Sequence, residues 1–321
     1  MNGQLKLTIS IVNTNNRDLL LNCLKSIYET VRKATFEIIL VDNCSNDHSA
    51  EIVREKFKDV IIIQNDKMNG YGYSHNRAIR IAKGKYVLIF NEDMIVKEHA
   101  IDLMVERIEK DKNIGVLGCK LINSDGNLQY ESCSNFPSIK QHFIDTFIPR
   151  TIAMKNNRSR RFLYYWDYDK EKEVDIIQGS CMLIPRRILR EVGNFDTRFY
   201  VYSEEDDLCR RVKNRGYRII CYPRAEIVHI GGQTSKKMSL RMALIMIESK
   251  MKYYQKHHNE VELALFQIIM LCGNLLRLIG WSIRSVIKRS NWDYNKSHII
   301  MNFKSIELVA KNMFKRNELF L

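Results

Sequence analysis

Proline is scarce, at 4 of 321 residues, and no low-complexity tract or internal repeat interrupts the chain. Long disordered linkers and repeat arrays are thereby excluded. None of the 8 cysteines (23, 44, 119, 133, 181, 209, 221 and 272) sits in a C-x-x-C pair. No signal peptide is read either, since Met1-Asn2-Gly3-Gln4 runs straight into a predicted strand. The expectation is a cytoplasmic protein with free, mostly buried thiols. A recognised nucleic-acid-binding motif is also missing, despite a formal net charge of +14. That surplus is uneven: from Gly231 onward there are 15 Lys and Arg against 6 Asp and Glu, while the first 230 residues hold 36 against 31. A basic appendage on a near-neutral domain calls for an anionic partner, nucleic acid or an anionic membrane surface. With no motif, and with the charge outside the main domain, no nucleic-acid partner is expected.

What is present is ordinary globular composition, 45% hydrophobic and 27% charged, long enough for one main domain plus an appendage. Short β-branched runs at Leu7 to Val12, Phe36 to Val41, Val60 to Ile63 and Tyr86 to Phe90 read as strands. Segments with apolar residues at helical spacing alternate with them, near 19–27, 48–57 and 74–82. That rhythm predicts an α/β, doubly wound, mostly parallel sheet with flanking helices, with ligands at the carboxyl ends of the strands. Residues 123–173 read as an irregular insertion, with a basic cluster (Arg150, Arg158, Arg160, Arg161) and the aromatic run Tyr164-Tyr165-Trp166. Strands resume at 175–184, 218–222 and 227–229, with a helix over 205–215. The last 85 residues or so read as helical. The expected division is a main domain over 1–235, with halves at 1–122 and 123–235, and a basic helical region over 236–321.

Two acidic clusters stand out. Asn91-Glu92-Asp93 directly follows a strand, where a carboxylate suits a hard divalent cation that keeps positions open for phosphate oxygens; acids at a helix start read equally as caps. Glu204-Glu205-Asp206-Asp207 opens a helix, which suits the helix dipole. Yet four adjacent carboxylates repel, and one in a cleft can be raised toward a general base's working range. His229 ends a strand before Gly231-Gly232, as a structural residue or as a ligand. Asp42 can accept from a nucleobase N–H or stabilise its own turn. Gly70-Tyr71-Gly72 precedes a helix but lacks the third glycine of the dinucleotide fingerprint, so a Rossmann dehydrogenase is discounted.

In order and spacing, SIVNTN (10–15), ILVDNCSND (39–47), GYGYSHNRAI (70–79), VLIFNEDM (87–94) and the block from GSCMLIPRRILREVGNFDTRFYVYSEEDDLCRR to IVHIGG resemble glycosyltransferase family 2, especially its bacterial rhamnosyltransferase-like members. The resemblance covers about residues 5–232 and implies that the main domain is catalytic, its first half nucleotide-sugar binding and its second acceptor-binding. It implies the GT-A fold and an inverting, metal-dependent transfer of a sugar, rhamnose as first guess, from a nucleoside-diphosphate donor (dTDP-rhamnose or a UDP-sugar). The implied acceptor is a hydroxyl of a glycan or lipid-linked molecule in surface polysaccharide synthesis. It implies a nucleotide site at Asn13, Thr14, Asp42, Arg77, Asn91 and Glu92, and a divalent metal, Mn2+ or Mg2+, at Asp93 and His229. Glu205 would be the catalytic base, with Glu204 and Asp207 as supporting acids. Two positions depart from the family pattern: Asn91 replaces the first Asp of the D-x-D motif, and Glu205 replaces Asp at the base, with Asp206 and Asp207 as substitutes for it. The alternatives are an inactive sugar-binding or assembly subunit and a sugar nucleotidyltransferase. The latter expects a glycine- and arginine-rich phosphate loop, which SIVNTNNRD lacks.

Leu263 to Leu276 carries no formal charge, and Arg277 then interrupts, short of the 20 or so apolar residues that a spanning helix needs. With Arg284, Lys288, Arg289, Trp281 and Trp292 nearby, a helix lying peripherally in the inner membrane interface is expected. The other reading is a helix packed on the protein or in a homo-oligomer.

Overall fold

Leu7, Ile9 and Ile11 point to one face of their strand and Thr8 and Ser10 to the other, yet all five are wholly buried, as a central strand covered on both faces requires. In the computed structural model, which describes residues 5–148, 166–231, 239–287 and 292–314, this strand is β1 (Leu7–Asn13). It is followed by α1 (Arg17–Thr30), β2 (Phe36–Asp42), α2 (Ser49–Lys56), β3 (Ile61–Gln64), α3 (Tyr71–Ile81) and β4 (Tyr86–Asn91). Then come β5 (Met94–Val96), α4 (Ala100–Glu109), β6 (Ile114–Ile122), a 3-10 turn at Tyr130–Ser132, β7 (Cys133–Ser134) and α5 (Ile139–Phe147). The chain continues through β8 (Lys172–Glu173), β9 (Ile176–Ile177), β10 (Cys181–Pro185), α6 (Arg186–Val192), α7 (Glu204–Asn214) and β11 (Arg218–His229). It closes with α8 (Leu240–His257), α9 (Glu260–Ile287) and α10 (Trp292–Phe314). The sequence-stretch residues Arg150, Arg158, Arg160, Arg161, Tyr164, Tyr165, Gly232, Lys288 and Arg289 lie outside the described residues.

Among the described residues one sheet runs β3-β2-β1-β4-β10-β6-β11-β5, with β8 pairing with β11. β3, β2, β1 and β4 are mutually parallel, as are β6 and β11, while β10 and β5 run antiparallel to their neighbours. Two apolar clusters cover its faces, one around Leu20, Leu24, Ile27 and Met104, the other around Ala78, Ile188, Leu208 and Val212. The expected mixed α/β architecture is therefore what forms. Two details differ. The strands expected at 218–222 and 227–229 are one strand whose pairing with β6 slips between Tyr222 and Glu226, where Pro223 has no N–H to give. The segment expected to be irregular contains α5, capped by the Ser138 hydroxyl, which accepts from the Gln141 amide at 3.2 Å.

The chain divides into two units, Met1–Phe136 with Arg161–Gln233, and Pro137–Arg160 with Thr234–Leu321. The first holds the sheet. In the second, α5 packs on α9, its His142 ring 4.8 Å from Phe266, and Phe266 stacks on Tyr254 of α8 at 4.6 Å. α9 runs unbroken through Arg277 and is the one described helix long and apolar enough to cross a membrane by length and composition. Leu265, Ile268, Leu275, Leu276, Ile279 and Ile283 are exposed along it. Trp281, expected at a membrane interface, stacks on His298 of α10 at 4.2 Å, and Trp292 is exposed. All eight cysteines are free, six of them buried.

Candidate active site

The order β3-β2-β1-β4 reverses direction of growth between β1 and β4, and such a switch point opens a crevice at the strands' carboxyl ends. Asn13 and Asp42 pair there in register. Asn13 Nδ2 donates to Ser45 Oγ (3.0 Å) and Ser49 Oγ (2.8 Å), and Asp42 Oδ2 accepts from the Ser45 amide at 3.3 Å. Each nevertheless keeps one buried oxygen, Asn13 Oδ1 and Asp42 Oδ1, with no hydrogen-bond partner. Two adjacent orphaned acceptors at a switch point suit a ligand that brings N–H or O–H donors. Thr14 is half-buried beside them. Arg77 lies on α3 and is engaged by Gln64 O (2.8 Å) and Asn65 Oδ1 (2.6 Å), so it braces the end of β3.

Past β4 the chain turns through Glu92 and Asp93 into β5. Asn16 Nδ2 donates to Glu92 Oε1 at 2.7 Å, and burial, with Asp93 alongside, lifts the Glu92 carboxyl to about 7. β5 pairs with β11 so that His229 lies opposite Met94, and His229 Nε2 comes within 3.3 Å of Asp93 Oδ1. That oxygen is buried and has no hydrogen bond. Gln129 orients the ring. Its Nε2 donates to His229 O (2.9 Å) and Asn123 Oδ1 (2.6 Å), so its oxygen faces His229 Nδ1 at 2.8 Å and can only accept. The ring therefore carries a hydrogen on Nδ1, and Nε2 is the nitrogen that faces the Asp93 carboxylate, as an ion-pair donor when the ring is protonated and as a lone pair when it is neutral. In the neutral ring that lone pair and the carboxylate can share a divalent cation. A carboxylate oxygen and an imidazole nitrogen fit such an ion. Among the described residues no group of three or more His, Cys, Asp or Glu side chains forms a metal cage. Gly231 lets the ring sit there, since a Cβ at that position would meet Nε2 at 2.7 Å.

The second acidic cluster meets the first at Tyr71. Its hydroxyl lies 3.0 Å from Asn91 Oδ1 and 2.9 Å from Gly179 O. Burial first, then the fields of Glu204, Glu92, Glu205 and Asp93, push its phenol well above the ordinary value. Gly70 makes this approach, because a Cβ there would overlap the carbonyl oxygen of Tyr200, which accepts from the Tyr71 amide at 2.8 Å. The Gly-Tyr-Gly run is thus a packing device that seats α3 against the segment entering α7. Within α7, Glu204, Asp206 and Asp207 are buried and Glu205 is half-buried. Burial, then Glu205, pushes the Glu204 carboxyl well above the usual range. Asp207 pairs with Arg211 at 2.8 Å, and Arg211 also donates to the carbonyls of Val192, Gly193 and Asn194, bracing that loop. No role is read for Tyr71, Gln129 or Gly179 in the sequence; Tyr71 carries a signal inside the glycine pair and Gly179 as the first residue of the long matched block, while Gln129 carries none.

Comparison with known proteins shows the family and the fold. The model of the family described as glycosyl transferase family 2 matches residues 8–193, a span that ends before α7 and His229. An N-acetylglucosaminyl-diphospho-decaprenol L-rhamnosyltransferase of Mycobacterium tuberculosis is 26% identical over 207 residues, 60% of this chain and 66% of the relative, just under two thirds of its length. The rhamnosyltransferase WbbL of Escherichia coli is 24% identical over 66% of this chain and 84% of its own. Among solved structures, a mannosyltransferase of Pyrobaculum calidifontis in complex with GDP-Man and Mn2+ superposes with a TM-score of 0.58 at 15% identity, covering 98% of this chain and 88% of that one. The mixed sheet and its flanking helices are the GT-A arrangement, to which this chain adds the C-terminal helices.

Proposed function

The chain belongs to glycosyl transferase family 2, and on that premise we propose that it transfers a sugar, rhamnose first, from a nucleoside-diphosphate donor to a hydroxyl of a glycan or lipid-linked acceptor, inverting the anomeric carbon. The observation that carries this is the convergence of the Asn91–Asp93 turn and the Glu204–Glu205 turn on Tyr71, beside the switch point. Asn13 and Asp42 take the donor's base through their orphaned oxygens. Asp93 and His229 would hold a divalent cation, Mn2+ as in the Pyrobaculum neighbour's complex or Mg2+, which would supply positive charge for the departing diphosphate. Of the four acids opening α7, Glu205 is the one that is not fully buried. It takes the proton of the acceptor hydroxyl as that oxygen attacks the anomeric carbon opposite the leaving group. One displacement inverts the configuration.

The Mycobacterium relative's name specifies a lipid-linked diphosphate acceptor. We extend that chemistry to this chain as an acceptor in surface polysaccharide synthesis, met at an anionic lipid surface by the basic C-terminal region. A panel of nucleotide sugars, with and without Mn2+, tests the donor reading through hydrolysis and thermal stabilisation. A dTDP- or UDP-sugar is expected to stabilise the protein in a Mn2+-dependent way, and Asp93→Ala to abolish both that dependence and turnover. Metal-dependent turnover by Asp93→Ala near the parent level would remove Asp93 from this role.

A further inference from the structure

Tyr71 Oη touches two oxygens, Gly179 O at 2.9 Å and Asn91 Oδ1 at 3.0 Å, but a phenol has one hydrogen to donate. Gly179 O can only accept. Were the hydrogen given to Asn91, two lone-pair oxygens would oppose each other at 2.9 Å. An asparagine amide has two ends of nearly the same shape, one accepting and one donating, and the hydrogen-bond network decides which faces where. If Tyr71 donates to Gly179 and the Asn91 NH2 donates to Tyr71 Oη, all three groups are satisfied.

We propose that Tyr71 is a positioning residue that holds Asn91 with its NH2 inward and its amide oxygen toward the crevice, as a neutral acceptor for an electropositive group of the donor complex, a hard cation or a sugar hydroxyl. This rests on the donor-site reading above. It gives the departure from the D-x-D pattern a physical reason. An ionised aspartate has no hydrogen to give Tyr71, so with the phenol committed to Gly179 an asparagine is the residue that both satisfies Tyr71 and presents an oxygen outward. It also ties the donor-side turn to the acceptor side, because a Cβ on Gly179 would lie 3.4 Å from the Tyr71 ring and 3.8 Å from Glu205 Cβ.

The test is a double-mutant cycle read on the metal-free protein in chelator: parent, Asn91→Asp, Tyr71→Phe and both together. The charge that Asn91→Asp adds beside Glu92 and Asp93 is common to both backgrounds and cancels in the cycle. Asn91→Asp is expected to lower the melting temperature more when Tyr71 is present than in the Tyr71→Phe background. Equal losses would mean that the phenol does not sense residue 91, and a larger loss with phenylalanine that Tyr71 donates to it; with either result the proposal falls. A second readout compares parent and Tyr71→Phe for binding of Mn2+ alone and of a nucleoside-diphosphate sugar in chelator. A loss of about 10-fold, the usual cost of an outer-shell partner, is expected in the first arm if the oxygen meets the cation and in the second if it meets a hydroxyl. No loss in either arm overturns the proposal. Should no nucleotide sugar bind at all, the functional reading fails, while the melting cycle still reports which end of the amide faces Tyr71.

Discussion

Glu205 and His75 show how burial sorts side chains of the same site into different tasks. Glu205→Gln keeps the shape at the head of α7 but cannot take a proton, and removing a general base costs about 10²–10⁴-fold in rate. Turnover is expected to fall by that much while donor affinity, measured by titration, stays near the parent value. Full turnover by Glu205→Gln, with Asp206→Asn inactive and donor affinity intact, would shift the base by one position. His75 is wholly buried under Tyr71, its Nδ1 2.8 Å from Ser10 Oγ and its Nε2 without a partner. Burial lowers its pKa to about 3, from 6.5. Below pH 6.5 the unfolded chain binds a proton there that the folded chain refuses, so this histidine's stabilisation is present above 6.5 and is lost as pH falls toward 3. The melting temperature should therefore fall less steeply with acid in His75→Gln than in the parent. Parallel profiles between pH 6.5 and 4 would sink the assignment.

At the scale of elements, α3 positions the site because it begins on a glycine. Gly70→Ala has to push the α3 start off the Tyr200 carbonyl, and with it the Tyr71 hydroxyl off Asn91 and Gly179. The expected result is a lower melting temperature and turnover reduced by 10-fold or more, since misplacement by about 1 Å costs as much as 10²-fold; crystallised variants with Tyr71 unmoved would contradict it. The elements that build this region, β1 to β4 and α1 to α3, were legible because short apolar runs bounded by polar turns alternate with segments at helical spacing. α5 was not, because nine residues among turn signals become a helix through partners more than a hundred positions away. Gln129 was illegible for a related reason. A lone glutamine in a loop has no pattern, and its role exists only because β11 brings His229 to it. Asp42, Asn91, Asp93 and Glu205 could be named in advance from the resemblance, but which lone pairs were left orphaned could not.

At the scale of the whole molecule, the proposed contact with a lipid surface is tested on the exposed apolar residues of α9. Leu276→Glu together with Ile283→Glu, both exposed in the structure, should weaken sedimentation with anionic liposomes without changing the far-ultraviolet circular dichroism. Undiminished sedimentation would assign that side to contact with protein. Point substitutions are the right instrument, because the second unit is not a tail that can be cut away. Its α5 is made early, and the α9 surface that covers the His142 ring is made roughly a hundred residues later, on the order of ten seconds of synthesis. Throughout that interval His142 lacks the Tyr254 and Phe266 rings that cover it in the folded unit. The order of manufacture thus leaves this stretch without its partners until the last helices emerge, and a graft of those helices from a relative would have to bring the matching α5 with it.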